Sequence, residues 1–154
     1  MKEKITVLIA DDNREFSRTL ATYLRNQEDM EVIGIAKDGL EAVDLIKEKL
    51  PDVAILDVIM PHLDGLGVLE KVNNSSNELD KKPICIMLSA VGQDKITQRA
   101  ISLGAEYYMV KPFDIELLMQ RIREIKNFKP RGTRNDFVLR EIKRTPYVNV
   151  NSDK

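Results

Sequence analysis

The feature that most constrains the fold is a regular alternation between short apolar runs and segments of helical periodicity. Five runs are apolar almost throughout, and they lie at 5–10, 32–36, 53–56, 84–88 and 107–110. Each run is followed by a stretch in which apolar residues recur at spacings of three and four, as on one face of a helix. Strands that are apolar at nearly every position are typical of a parallel sheet covered on both faces. The pattern therefore predicts an α/β fold, a doubly wound sheet of five parallel strands flanked by helices.

The segments between the runs predict five helices. In the first, Phe16, Leu20 and Leu24 recur every four residues and form one apolar face. The last follows Asp114, a residue type that commonly caps the start of a helix. The polar stretch 73–77 predicts a loop between the third helix and the fourth strand.

Composition favours one domain with an appendage. The chain has 154 residues, of which 43% are hydrophobic and 32% charged, as in a globular protein with a packed core. The α/β pattern occupies residues 1–127. Residues 128–154 contain few hydrophobic side chains, and from position 127 onward seven Lys/Arg stand against three Asp/Glu. This stretch predicts a linker or truncated tail, because it offers too little apolar surface for a second domain.

Several classes of protein are disfavoured by the sequence. No apolar run reaches about 18 residues, so we expect no membrane-spanning segment. The first residues show no signal-peptide pattern. Cys85 is the only cysteine and lies within an apolar run, which excludes an internal disulfide and fits a reducing compartment. We expect a cytoplasmic protein in which Cys85 fills the core.

Charged and hydroxyl side chains stand at the carboxyl ends of four of the apolar runs. Asp11 and Asp12 follow the first run, and Asp57 follows the third. Ser89 comes just after the fourth run, and Lys111 just after the fifth. Parallel strands bring their carboxyl ends to one edge of the sheet, where open α/β folds bind ligands. We therefore expect these side chains to meet there.

The expected cluster suits the transfer of a phosphoryl group to a carboxylate. An aspartate with a pKa of about 4 is ionised at neutral pH, so Asp57 needs no general base to act as a nucleophile. Its obstacle is repulsion from the phosphoryl oxygens, which a divalent cation offsets. Asp11 and Asp12, together with Asp57, supply the oxygen ligands that Mg²⁺ prefers. Lys111 adds a fixed positive charge, and Ser89 offers a hydroxyl to a phosphoryl oxygen.

Five stretches of the sequence resemble, in order and spacing, the receiver domain of two-component response regulators. These stretches are 7–13, 56–61, 63–65, 88–90 and 110–113, and the likeness extends over residues 4–126. The resemblance implies a flavodoxin-like, CheY-like fold with the strand order 2-1-3-4-5. It also implies a signalling phosphoacceptor rather than an enzyme, with self-phosphorylation that depends on Mg²⁺ and slow autodephosphorylation.

The resemblance assigns roles to individual residues. Asp57 accepts a phosphoryl group from a phosphohistidine on a histidine kinase or a histidine phosphotransferase. Asp12 and Asp57 ligate Mg²⁺ directly, together with the backbone carbonyl of Ile59, while Asp11 acts largely through water. Lys111 is directed at the phosphoryl group by a cis peptide bond to the proline that follows it.

The resemblance also implies how phosphorylation becomes a signal. The serine at position 89 moves to bond the phosphoryl group, and the aromatic residue at position 108, here Tyr108, turns inward to fill the vacated space. The surface made by the fourth helix, fifth strand and fifth helix then forms a homodimer interface.

Within the family, some motifs are most similar to the regulators that control sporulation in endospore-forming bacteria. These motifs lie at 11–15, 29–34, 59–66 and 111–114. In such regulators a linker and a helical DNA-binding domain follow the receiver. We expect no such domain within these 154 residues, so DNA would be bound only through a domain absent from this sequence.

Two other interpretations stay open at this point. One is a stand-alone receiver that relays phosphate without binding DNA. The other is an aspartate-nucleophile phosphatase of the haloacid dehalogenase type, which also phosphorylates an aspartate at a strand end. That chemistry uses a second aspartate two residues later, where this chain has Ile59. The isoleucine argues against the phosphatase and for a longer-lived phosphoryl group.

Overall fold

The computed structural model describes residues 3–74, 81–90 and 92–126. In these residues strands and helices alternate as β1 (Ile5–Ala10), α1 (Arg14–Arg25), β2 (Met30–Ala36), α2 (Gly39–Lys49), β3 (Val53–Leu56), α3 (Gly65–Asn74), β4 (Ile84–Ser89), α4 (Asp94–Ser102), β5 (Tyr107–Val110) and α5 (Ile115–Lys126). The stretch 128–154, predicted to be a linker or tail, and positions 75–77 of the predicted loop lie outside the described residues.

The five strands form one parallel sheet in the order β2-β1-β3-β4-β5. This confirms the predicted doubly wound architecture and its strand order. The register brings the strand ends level, because Ala10 pairs with both Ala36 and Leu56, the last residues of the neighbouring strands. Residues that follow these strands are therefore delivered to the same edge of the sheet.

The core lies in two layers, one on each face of the sheet. One layer packs α2, α3 and α4 against residues such as Leu56 and Tyr108. The other packs α1 and α5 against residues such as Ile55 and Tyr107. Neighbouring residues alternate between the layers because successive strand side chains point to opposite faces. Each fully buried leucine or isoleucine contributes about 1.5–3 kcal/mol to folding, so the sheet is held from both sides.

Three element boundaries differ from the sequence predictions. β2 begins at Met30 instead of position 32, because Met30 pairs with Ile5 in the ladder. Ser89 is the last residue of β4 rather than a residue beyond it, since it pairs with Val110.

The third difference is at the end of α3. The helix continues through Asn73 and Asn74, so the prediction of a loop beginning at position 73 was wrong. The side-chain amide of Asn73 donates a hydrogen bond to the carbonyl of Leu103 at the end of α4. This contact holds the last turn of α3 against α4 and is invisible in the local sequence.

Side-chain caps start the two helices that follow the strand ends bearing Asp11 and Lys111. Asn13 precedes α1, and its side chain accepts a hydrogen bond from the N–H of Phe16 at 3.0 Å. Asp114 precedes α5 and accepts from the N–H of Glu116 at 2.9 Å, as predicted. Such caps satisfy N–H groups that have no partner within the helix and contribute about 1 kcal/mol each.

Two further expectations concern the core and the membrane. Cys85 is buried, and burial raises the pKa of its thiol to about 12, which is the behaviour of a core-filling residue. Among the residues that the structure describes, no helix has the length and apolar character needed to cross a bilayer.

Candidate functional site

The strand ends fix the backbone of three residues in the predicted site. The N–H of Asp11 donates to the last carbonyl of β2 at 3.1 Å, and that of Asp57 to the last carbonyl of β1 at 2.9 Å. The N–H of Lys111 donates to the last carbonyl of β4 at 2.7 Å. Each bond extends the sheet ladder by one residue. The side chains therefore leave from a rigid edge.

Three carboxylates come together at this edge. Asp11, Asp12 and Asp57 each offer an oxygen, and these oxygens all lie within 4.8 Å of one another. Asp11 is buried, Asp57 is nearly so and Asp12 is exposed, so the group opens to solvent on one side. One oxygen of Asp11 also accepts a hydrogen bond from the N–H of Asn13 at 2.9 Å. Like charges this close repel one another, and oxygen ligands of this kind suit a hard divalent cation.

Lys111 supplies the positive charge beside these acids. Its Nζ lies 2.6 Å from Asp11 Oδ2 and 3.7 Å from Asp57 Oδ2. The peptide bond between Lys111 and Pro112 is cis, as the resemblance implies. By its distances to both, the lysine stands between the two more buried carboxylates of the cluster, within reach of any group attached to Asp57.

Asp57 has a perturbed pKa because of its surroundings. Burial raises the pKa of this carboxyl above its ordinary value, and the negative charge of Asp11 raises it further. The Lys111 charge, a hydrogen bond from Ser89 and the Ile59 N–H at 3.4 Å act in the opposite direction. The influences that raise the pKa outweigh those that lower it. Ionisation of this carboxyl therefore costs free energy in the folded protein, and a bound cation would reduce that cost.

Ser89 and Tyr108 connect the Asp57 carboxylate to the core. Both side chains are buried. The Ser89 side chain is hydrogen bonded to Asp57 and to Tyr108. Burial raises the pKa of Tyr108 to about 12, with the Asp57 charge raising it and the Ser89 hydrogen bond lowering it.

Ile59 completes the predicted set. Its side chain is 63% exposed on the loop after β3, next to the carboxylate that its N–H contacts. No acidic group stands at this position, which is the second residue after Asp57.

The loop that carries Asp57 into α3 requires a glycine that the sequence analysis left without a mechanism. A Cβ at Gly65 would stand 2.2 Å from the carbonyl oxygen of Asp57. The Gly65 N–H also donates to the carbonyl of Val58 at 2.7 Å. The Leu-Asp-Gly motif thus has a physical reason, the close approach of α3 to the backbone of the site.

Two aromatic residues beside the lysine were not predicted as part of the site. The Lys111 ammonium lies 4.0 Å from the centroid of the Phe16 ring. The Phe113 ring meets Phe16 edge-on, with centroids 6.1 Å apart and an interplanar angle of 74°. The sequence analysis explained Phe16 as a core residue on the apolar face of α1. The one sequence feature that could have linked it to the site is its position in the first turn after Asp11 and Asp12.

Comparisons with known proteins agree with this fold. The family profile described as the response regulator receiver domain matches residues 7–123. The response regulator domain of Thermotoga maritima CheB is 32% identical, with a TM-score of 0.74, covering 83% of this chain and 100% of that one. The receiver domain of the putative response regulator NarL from Mycobacterium tuberculosis is also 32% identical, with a TM-score of 0.74 and coverages of 82% and 100%. CheY in the CheX-CheY-BeF₃-Mg²⁺ complex from Borrelia burgdorferi is 32% identical, with a TM-score of 0.69 and coverages of 80% and 90%.

The fold and the edge of charged residues define a receiver, a class of signalling phosphoacceptor rather than of conventional enzymes. This chain belongs to the receiver domain family of two-component response regulators. Receivers interact with histidine kinases or phosphotransfer proteins, and they bind Mg²⁺ at an acidic cluster of the kind formed here.

Proposed function

We propose that Asp57 is the phosphoacceptor of this receiver and takes its phosphoryl group from a phosphohistidine. The observation that carries the proposal is the position of its carboxylate, within 4.8 Å of two other acids and 3.7 Å from the Lys111 ammonium. An ionised oxygen at a rigid strand end, beside a fixed cation, is prepared to attack phosphorus without a general base.

The transfer step is a displacement at phosphorus. An oxygen of Asp57 forms a bond to phosphorus while the bond from phosphorus to the donor imidazole nitrogen breaks, and that nitrogen keeps the electron pair. Lys111 stabilises the negative charge on the phosphoryl oxygens, and Ser89 donates a hydrogen bond to one of them. Charge and alignment supply most of the catalysis in reactions of this type.

Mg²⁺ is the cation that we assign to the acidic cluster. Asp12, Asp57 and the backbone carbonyl of Ile59 would hold it directly, with Asp11 acting through water. A bound divalent cation neutralises charge on the attacking and transferred oxygens. The donor set supports the assignment, because carboxylates and a carbonyl are the ligands of a hard ion. The related CheY of Borrelia burgdorferi in its complex with BeF₃ and Mg²⁺ lends further support.

Phosphorylation would act through Ser89 and Tyr108. A phosphoryl group on Asp57 adds negative charge and acceptor oxygens beside the serine that is hydrogen bonded to this carboxylate. Full conversion of a two-state switch from 1:99 to 99:1 takes about 5.5 kcal/mol of differential stabilisation, within the range of a few charge-assisted hydrogen bonds. The surface of α4, β5 and α5 would then form a homodimer. The buried contact of Tyr108 with Ser89 supports this coupling.

We further propose that the receiver, residues 1–127, belongs to a transcription factor that controls sporulation. The support is the similarity of the sequence motifs, above all 11–15 and 59–66, to those of regulators that control sporulation. Residues 128–154 would then be the linker to a DNA-binding domain. A reading frame that continues beyond Lys154 into a helical domain is the expected finding. A stop codon there would favour the stand-alone receiver instead.

The phosphoacceptor is tested by mass spectrometry of the intact protein. Wild type incubated with acetyl phosphate and Mg²⁺ should gain one phosphoryl group, and Asp57→Asn should gain none. Asp44→Asn, which replaces an exposed acid on α2, is the matched control and should be labelled like wild type. Equal labelling of Asp57→Asn would remove Asp57 from the role.

A further inference from the structure

We propose that Phe16 is a positioning residue for Lys111, whose ammonium group rests on the face of the phenylalanine ring. The inference builds on the proposed function of Asp57 and extends it, because it assigns a role in phosphoryl capture to a residue of the apolar face of α1. The ring does not touch the reacting atoms. It acts by holding the cation that does.

The Lys111 ammonium has three close contacts. It lies 2.6 Å from Asp11 Oδ2, 3.7 Å from Asp57 Oδ2 and 4.0 Å from the Phe16 ring centroid. Cation–π attraction operates within about 6 Å of a ring centroid and strengthens when the cation is shielded from water. The Lys111 side chain is only 21% exposed, so its interaction with the ring is largely shielded.

The ring is itself held in place from two directions. The backbone N–H of Phe16 donates to the side chain of Asn13, the cap residue, at 3.0 Å, which fixes the first turn of α1. The Phe113 ring packs edge-on against it, and Phe113 follows Lys111 by two residues. The aromatic pair thus joins the start of α1 to the segment that carries the lysine. A flexible four-carbon side chain gains a defined resting place from this arrangement.

The ring gives Lys111 an anchor that does not compete with a metal ion. Asp11 is the nearest charged partner of the lysine, yet it also belongs to the acidic cluster proposed for Mg²⁺. A carboxylate shared with a cation holds an ammonium less strongly. The face of Phe16 has no net charge and does not bind Mg²⁺, so it retains the lysine beside Asp57 while Asp11 interacts with the ion through water.

The alternative is that Phe16 only packs, since it also lies against the core layer of α1 and α5. Fluorination separates the two roles. Mono-, di- and trifluorinated phenylalanine keep the shape of the ring and its apolar character but progressively weaken the negative potential of its face. A packing residue tolerates this series, whereas a cation–π partner does not.

The experiment places these analogues at position 16 alone and measures the rate of phosphorylation by acetyl phosphate at fixed Mg²⁺. We expect the rate to fall stepwise with fluorine number, by about three- to tenfold in total. Phe16→Tyr, which keeps the aromatic face, should stay close to wild type, and Phe16→Leu should be as slow as the trifluorinated protein. In a Lys111→Gln background the fluorine series should be flat, because the cation is gone.

A second measurement does not depend on phosphorylation. In protein with ¹³C-labelled lysine, the ε-methylene protons of Lys111 should resonate upfield because they lie over a ring, and Lys111→Gln identifies the signal by its loss. Phe16→Leu should return it to the ordinary lysine position. A rate that ignores fluorination, or a Lys111 signal at the ordinary position in wild type, overturns the inference. If wild type takes up no phosphoryl group, the proposed function fails, while the lysine signal still decides whether the ring holds the cation.

Discussion

Replacing Asp57 by asparagine should stabilise the metal-free fold while it weakens the response to Mg²⁺. Burial and the Asp11 charge raise the pKa of Asp57, so the folded protein favours the protonated acid. The contribution of this group to stability is therefore greatest below the ordinary carboxyl pKa of about 4 and is lost as pH rises through the raised value. At neutral pH the ionised carboxylate opposes folding, and the neutral amide removes that opposition.

The magnitude follows from the distances at the site. Oxygens of Asp11 and Asp12 within 4.8 Å each repel the Asp57 charge by about 3.5 kcal/mol at an effective dielectric of about 20. Lys111 at 3.7 Å attracts it by about 4.5 kcal/mol at the same dielectric. The net repulsion is about 2.5 kcal/mol, and solvent around exposed Asp12 reduces it toward about 1 kcal/mol. A gain of that size corresponds to a Tm increase of about 3–8 °C in a domain of this length.

Thermal unfolding in EDTA and in Mg²⁺ tests this reasoning. In EDTA at pH 7, Asp57→Asn should melt above wild type, and the difference should vanish as pH falls below about 4. Saturating Mg²⁺ should stabilise wild type, by about 2.7 kcal/mol at 100 times Kd, and the variant less, so that the order closes or reverses. The exposed control Asp44→Asn should show no such crossing. An Asp57→Asn protein that melts below wild type in EDTA at neutral pH would refute the electrostatic argument.

Three other perturbations have defined outcomes. Gly65→Ala should lower the urea midpoint by an amount equivalent to about 1–3 kcal/mol or more, because its Cβ would stand 2.2 Å from a backbone carbonyl oxygen. A Cβ at Gly67 would have side-chain atoms as its nearest neighbours, with the flexible Cδ1 end of Leu63 at 2.4 Å and Asp64 Oδ1 at 3.4 Å, so Gly67→Ala should cost less than Gly65→Ala and equal losses would contradict the argument. Asp38→Ala removes the cap of α2, a hydrogen bond of 2.8 Å, and should cost about 1–2 kcal/mol in the same assay, while an unchanged midpoint would exclude that role. The Cys85 thiol, buried and with a pKa raised to about 12, should resist alkylation at pH 8 until urea unfolds the protein, and rapid labelling of the native protein would show that it is accessible.

Much of the fold followed from the sequence because its signals are local. Apolar runs such as 53–56 and 107–110 were recognised as buried parallel strands, and their observed bounds are the same. The cap at Asp114 was read from its residue type and its place before an apolar helical face. The end of α3 was missed, since the bond from Asn73 to the end of α4 joins positions 30 residues apart. Local propensity contains no information about such a contact.

For the candidate site too, some features followed from the sequence and others only from the tertiary structure. The sequence by itself determined that Asp11, Asp57 and Lys111 follow strands, and the geometry of a parallel sheet then required their backbones to share an edge. Only the tertiary structure decided that Lys111 lies between two carboxylates and over the ring of Phe16. The reason is physical: which residues follow a strand is set by patterns along the chain, whereas a cation over a ring depends on the packing of a helix start against a strand end about 95 residues away.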